Sequence, residues 1–358
     1  MAKLDAYFRA MVQQGASDLH LVAGNLPAMR IHGELKKLKA EPLTDEGLRD
    51  LLHEIAPDEA WARFEETGDA DFAYELEGVA RLRANYFRQK FGAAAVFRTI
   101  PTEILGCEQL GLPDTVRRLA YLRKGLVLVT GPTGSGKSTT LAAIIDEANR
   151  HRRDNIITVE DPIEFVHRSQ GCLVSHREVG VHTRSFAAAL RAALREDPDI
   201  ILVGEMRDKE TISLAIEAAA TGHLVVGTLH TQNAAKTVDR IIEVFTAEEQ
   251  PQIRSTLADS LKAVVAQTLF RRTDRKGRVA ALEVMIVTPA ISNLIREGKT
   301  YQIPSAIQTG RKHGMQALDT AIMELLEAKV IDPVEAHDKA VNKELFARFV
   351  PEGEEGAP

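Results

Sequence analysis

The sequence predicts an α/β protein in two parts, a small α+β block followed by a larger block built on a parallel sheet. Its 358 residues exceed one typical domain of about 100–150 residues, so two cores are expected. From about residue 119, apolar strand-like runs alternate with helical ones, and that alternation implies a parallel sheet covered on both faces. Between the first of these strands and the helix after it stands GPTGSGKSTT, residues 131–140. A glycine-rich turn in that setting is a phosphate loop rather than a chance match.

The first block begins with LDAYFRAMVQQ, residues 4–14, which reads as a helix. The short pieces SDLHLV and PAMRIHGEL follow with Gly and Pro between them, then a helical stretch near 44–66. DFAYEL, ARLRANYF and GAAAVFRTI have strand composition and partial alternation. In ARLRANYF a period of two sends Arg81 and Arg83 to one face and Leu82, Ala84 and Tyr86 to the other. A solvated strand face is the plain reading of those arginines. The domain limits expected are 1–100 for the first block, 101–118 for a Pro- and Gly-containing connection and 119–350 for the second block. The tail 351–358, PEGEEGAP, is too acidic and too poor in apolar residues to pack.

The second block reads GLVLVT, glycine loop, KSTTLAAIIDEANR, NIITV, SFAAALRAALRE, IILVG, ETISLAIEAAA and HLVVGTLH, strand and helix in turn. Several helices are expected from about 247 onward.

Composition narrows the function. Hydrophobic residues at 44% and charged residues at 27% describe a soluble globular chain. A net charge of −6 argues against a nucleic-acid partner, which needs a basic face. Cys107 and Cys172 are too few for a tetracysteine zinc site and are expected as reduced, structural thiols. No run of about 18 apolar residues occurs, and MAKLDAYFRAMVQQG lacks the long apolar core of a signal peptide. A cytoplasmic protein without direct membrane insertion is therefore expected.

Four stretches carry chemistry. Gly131, Gly136, Lys137 and Ser138 meet the pattern GxxxxGKS. The glycines, with Thr133, Gly134, Ser135 and Thr139 among them, let backbone N–H groups wrap phosphates at a helix N-terminus. Lys137 would reach the β- and γ-phosphates of ATP, and Ser138 would ligate Mg2+. In DPDIILVGEMRD an apolar strand delivers Glu205 to its carboxyl end, where ligands sit in open α/β sheets and where an acid can orient magnesium. In TVEDPIEF the carboxylates of Glu160, Asp161 and Glu164 crowd one loop and repel unless a cation or proton is shared. That loop reads either as a water- and magnesium-positioning element or as a solvated acidic turn. TGHLVVGTLHT brackets a strand with His223 and His230, seven apart and so no metal pair on a regular strand. A single strand-end histidine can donate to a γ-phosphate, though a core-edge histidine is the commoner case.

Taken together, GPTGSGKSTT, TVEDPIEFVH, ALREDPDIILVGEMRD and TGHLVVGTLHT resemble the secretion ATPase superfamily, and within it the type IV pilus retraction ATPases of the PilT type. The likeness runs from about residue 4 to about 348, with SDLHL, VFRTIP, AISNLIRE and GMQALD in the same order. It implies a PAS-like N-terminal domain joined to a RecA-like P-loop ATPase domain, six copies forming a homohexameric ring. It implies ATP hydrolysis coupled to pilin disassembly and twitching motility, at the inner membrane through a pilus platform protein and alongside a paralogous retraction ATPase. By the same resemblance Glu164 is the catalytic base with Glu160 as second choice, and Glu205 is the Walker B acid. His230 is the main histidine-box residue, His223 contacts nucleotide, and Arg83 and Arg98 meet the γ-phosphate. Ser292 stands where the retraction signature AIRNLIRE has arginine. The alternatives are an accessory PilU-type protein and a pilus-assembly or type II secretion ATPase. Relatives of the last kind usually carry a further N-terminal domain and a tetracysteine element that are not found in this sequence.

Overall fold

The computed structural model describes residues 2–31, 33–100 and 103–350. The tail expected at 351–358, and Pro101 and Thr102 of the expected connection, lie outside the described residues. The chain divides into two compact units, Met1–Glu103 with Pro162–Val166, and Ile104–Asp161 with His167–Pro358.

In the first unit, helix α1 (Asp5–Gln13) precedes strands β1 (Ala16–Val22), β2 (Ala28–Ile31) and β3 (Glu34–Lys37). The helical stretch expected near 44–66 is two helices, α2 (Asp45–His53) and α3 (Asp58–Thr67). Thr44 caps the first by accepting from the Gly47 N–H at 3.1 Å, and Pro57 stands directly before the second. Strands β4 (Asp69–Leu76), β5 (Ala80–Gln89) and β6 (Gly92–Ile100) complete a sheet of order β3-β2-β1-β6-β5-β4. Every pairing in it is antiparallel. Leu82, Ala84 and Tyr86 are buried as their alternation predicts, and they join Phe8, Phe64 and Phe97 in one core. Tyr86 packs edge-to-face on Phe64, Phe72 and Phe97, and its hydroxyl donates to the Leu52 carbonyl at 3.1 Å. This is the PAS-like α+β form.

The second unit begins at Ile104, with Cys107 buried and helix α4 (Asp114–Arg118) after it. Strand β7 (Gly125–Thr130) feeds helix α5 (Lys137–His151), followed by β8 (Asn155–Glu160), β9 (Leu173–Glu178) and α6 (Phe186–Ala193). Strand β10 (Ile200–Val203), α7 (Lys209–Ala220), β11 (Leu224–Leu229), α8 (Ala234–Glu243) and α9 (Gln250–Ser260) come next. Leu126 and Leu128 of β7 enter one core and Val127 and Val129 the other, because a parallel strand is covered on both faces.

Where only helices were expected after 247, two long strands appear, β12 (Leu261–Arg271) and β13 (Arg278–Ile286). An apolar run of this kind fits a buried helix or a buried strand equally well from its pattern. The sheet order is β13-β12-β7-β11-β10-β8-β9, parallel throughout except for β13 on β12. Helix α10 (Pro289–Arg296) follows, with Thr288 as its N-cap, Pro289 first and Ile291 and Ile295 buried. Ser292 donates its hydroxyl to the Ala258 carbonyl of α9 at 2.8 Å, and Arg296 reaches Asp259 at 2.8 Å.

Candidate active site

The phosphate loop is shaped by backbone that side chains cannot share. Gly131, Gly134 and Gly136 have φ of 143°, 77° and 86°, the left-handed region that favours glycine. A Cβ on Gly131 would lie 2.4 Å from the Gln267 carbonyl oxygen and 2.6 Å from Ser135 Oγ. Helix α5 starts at Lys137, so the unpaired N–H groups of its first turn open toward the loop. Thr133, Gly134 and Ser138 are exposed there, Thr139 and Gly136 half-buried and Ser135 buried.

Sheet order brings the other groups to the same edge. Strand β11 lies beside β7 with Thr130 opposite Leu229, and β10 lies beside β11 with Val203 opposite Gly227. His230 and Glu205 therefore leave neighbouring strand ends next to the loop. Lys137 Nζ donates to the Gly131 and Pro132 carbonyls at 2.8 and 3.0 Å and stands 3.4 Å from His230 Nδ1. His230 Nε2 is 2.8 Å from Glu205 Oε1, and Arg207 donates to Glu205 Oε2 at 2.6 Å. Burial pushes the Lys137 pKa down, with the Glu205 charge opposing it. Burial pushes the Glu205 carboxyl up, but Arg207 and His230 together hold it below its ordinary value.

Glu160 is buried as the last residue of β8, whose neighbour is β10. Asp161 is exposed and Glu164 half-buried in the loop that follows. The second histidine is not brought to the phosphate loop. His223 precedes β11 at the opposite sheet edge, with its Nδ1 3.0 Å from the Ala218 carbonyl. A six-residue strand separates it from His230, roughly 20 Å at ~3.3 Å per residue.

In the first unit Arg83 and Arg98 pair directly across β5 and β6, so they share the exposed sheet face. Arg83 Nε is 3.8 Å from Asp71, both exposed. Arg98 Nε donates to Asp18 at 2.8 Å, where the carboxylate is buried.

Several site residues carry no sequence motif. Gln267 of β12 donates from Nε2 to the Ser135 carbonyl and accepts from the Thr140 hydroxyl, both at 2.6 Å, thereby bracing both ends of the loop. Its only trace in the sequence is one amide inside the apolar run AVVAQTLF. Glu283 of β13 accepts from the Ala234 N–H at 2.7 Å where α8 begins, and burial pushes its carboxyl up.

The arrangement fits a nucleoside polyphosphate: a cradle of N–H groups, two glycines, Gly131 and Gly136, crowded against any Cβ, and a buried ammonium. Ser138 and Glu205 offer hard oxygen donors suited to magnesium. Among the described residues no group of three or more His, Cys, Asp or Glu could hold a metal alone.

Comparison with known proteins shows the family. The family model described as type II/IV secretion system protein matches residues 2–336. The type IV pilus retractation ATPase PilT of Pseudomonas aeruginosa is 54% identical over 334 residues, covering 93% of this chain and 97% of that protein. The twitching motility protein of Neisseria gonorrhoeae is 49% identical over 318 residues, covering 89% and 85% respectively. The crystal structure of the pilus retraction motor PilT with bound ADP superposes with a TM-score of 0.90 at 43% identity, over 97% of this chain and 99% of that one.

Proposed function

The chain belongs to the type II/IV secretion system protein family and to its pilus retraction ATPase type, and from that premise we propose that it hydrolyses Mg-ATP to power type IV pilus retraction and twitching motility. The observation that carries the ATPase reading is the unbroken contact from Lys137 through His230 to Glu205, at the carboxyl ends of adjacent strands. What supports retraction is the 54% identity to a retraction ATPase over nearly the full length of both chains.

Bound Mg-ATP supplies the phosphoanhydride whose cleavage releases the energy. Lys137 neutralises phosphate charge, and the loop N–H groups fix its orientation. Ser138 and Glu205 would hold the magnesium that comes with ATP, which would neutralise phosphate charge there. Glu164 orients the attacking water and takes its proton, with Glu160 the second candidate for that role. His230, in contact with both Lys137 and Glu205, senses whether the γ-phosphate is present. Arg83 and Arg98 are assigned to the γ-phosphate, as arginine donors that stabilise its developing charge.

Six copies are proposed to form a homohexamer with heterologous contacts, so that a movement in one subunit displaces its neighbours. The proposed partners are the inner-membrane pilus platform protein and a paralogous retraction ATPase, with the motor in the cytoplasm. Among the described residues no helix is long and apolar enough to cross a membrane.

A clean deletion of the gene in its own host, scored for surface pili and twitching, tests the direction of the motor. Abundant pili with motility lost is the expected result. Bald cells would assign the chain to assembly, and unchanged pili and motility would remove it from the pilus machine.

A further inference from the structure

We propose that His176 is a positioning residue for the acidic loop 161–166, a peg that ties the strand before the loop to the residue after it and so anchors both ends of the segment that carries Glu164. The proposal deepens the ATPase reading above and rests on its assignment of Glu164 as the base.

His176 sits on β9, the edge strand, directly opposite Thr158 of β8. Its Nδ1 is 2.8 Å from Thr158 Oγ1 and 3.8 Å from Glu160 Oε1, so one side of the ring grips the strand end that launches the loop. Its Nε2 accepts from the His167 N–H at 3.0 Å, so the other side grips the chain where the loop returns. A backbone N–H can only donate, which makes Nε2 the acceptor and places the ring proton on Nδ1, aimed at Thr158 and, beyond it, the Glu160 carboxylate.

The ring is held as firmly as what it holds. The His167 imidazole is buried and stacks on it at 5.9 Å between centroids and 12° between planes. Further along the same connection, the side chain of Asn149 accepts from the Gln170 N–H at 3.1 Å and donates to the Arg168 carbonyl at 2.8 Å. His176 does for the first half of this segment what Asn149 does for the second. It touches no loop phosphate ligand, so its removal should misplace the base without weakening nucleotide binding.

The test uses the full-length protein with four variants. His176→Ala should lower kcat about tenfold or more, toward the roughly hundredfold that an ångström of misplacement at a reacting group can cost. The KM for ATP and the Kd for a fluorescent ATP analogue should stay near the parent values. His176→Gln, whose amide can accept from the His167 N–H and donate to Thr158, should restore most of the turnover. His176→Phe keeps the ring's bulk without its hydrogen bonds and should stay slow. If His176→Ala does not fold, the contrast between Gln and Phe decides: equal turnover in those two overturns the proposal. So would a full kcat in His176→Ala, or a loss of kcat matched by a loss of nucleotide affinity. Glu164→Gln is measured beside them. If it retains turnover, the base assignment itself falls; if it is inactive while His176→Ala is unimpaired, only the peg falls.

Discussion

Nε2 of His230 lies 2.8 Å from Oε1 of Glu205, although the two residues leave different strands twenty-five positions apart in the chain. Burial pushes this carboxyl up, but Arg207 and His230 together hold it below its ordinary pKa, ionised and ready for a cation. Glu205→Gln is therefore expected to bind ATP normally while turnover drops on the order of a hundredfold, as losses of one preorganised charged group do. Lys137→Ala should lose nucleotide binding itself. Phosphate release and fluorescent nucleotide titration on the two purified variants separate these outcomes.

Gln267→Leu removes an amide that satisfies both the Ser135 carbonyl and the Thr140 hydroxyl. Leaving buried polar groups without partners costs about 1–3 kcal/mol. The melting temperature should fall by a few degrees, and nucleotide affinity should fall with it because the phosphate loop loses its brace. A melt with and without ADP checks both, since bound ligand should recover less stability in the variant than in the parent.

Arg83 and Arg98 share one sheet face but differ in what depends on them. Asp71, the partner of Arg83, is exposed, so Arg83→Ala should change folding stability by less than ~1 kcal/mol. Asp18, the partner of Arg98, has a side chain only 5% exposed, and Arg98→Ala leaves that carboxylate short of a donor. A loss of about 1–3 kcal/mol is expected there. Both variants should slow ATP turnover if the arginines meet the γ-phosphate. Urea titration beside an ATPase assay tells the stabilising role from the catalytic one.

Much of this was legible because the chemistry sits at strand ends. GLVLVT, IILVG and HLVVGTLH are apolar enough to be read as buried parallel strands, and the residue that ends or follows each then falls on one sheet edge: Gly131, Glu205, His230. The same geometry separates His223 from His230, since the strand between them spans the sheet. Gln267 was hidden for the opposite reason. An apolar run with one amide says nothing about period, and β12 reached its place beside β7 only through tertiary pairing. The contact between Arg98 and Asp18 spans eighty residues and depends on β1 lying beside β6, a pairing that local patterns do not encode.

His167 makes an acid-sensitive core. Burial, with the neighbouring His176 ring, pushes its pKa down to about 4. Between its unfolded value near 6.5 and that folded value, the unfolded chain binds a proton that the folded chain refuses. Stability from this residue is thus fully present above pH 6.5 and declines as the pH falls toward 4, by at most about 3 kcal/mol. Denaturant midpoints at pH 7 and pH 4.5 should drop further in the parent than in His167→Gln, which has no ring to protonate.

Strands β12 and β13 run as nine consecutive pairs from Ala263 with Ile286 to Arg271 with Arg278, joined by the short exposed connection 272–277. That hairpin sets unequal tolerances to insertion along one stretch of gene. An added codon at the connection lengthens a surface turn and leaves every pair in place. An added codon between Leu261 and Gln267 shifts side chains by one step of a two-step repeat and turns Gln267 away from the phosphate loop. Length variation among functional descendants of this chain should accumulate at the connection and be purged from the strand.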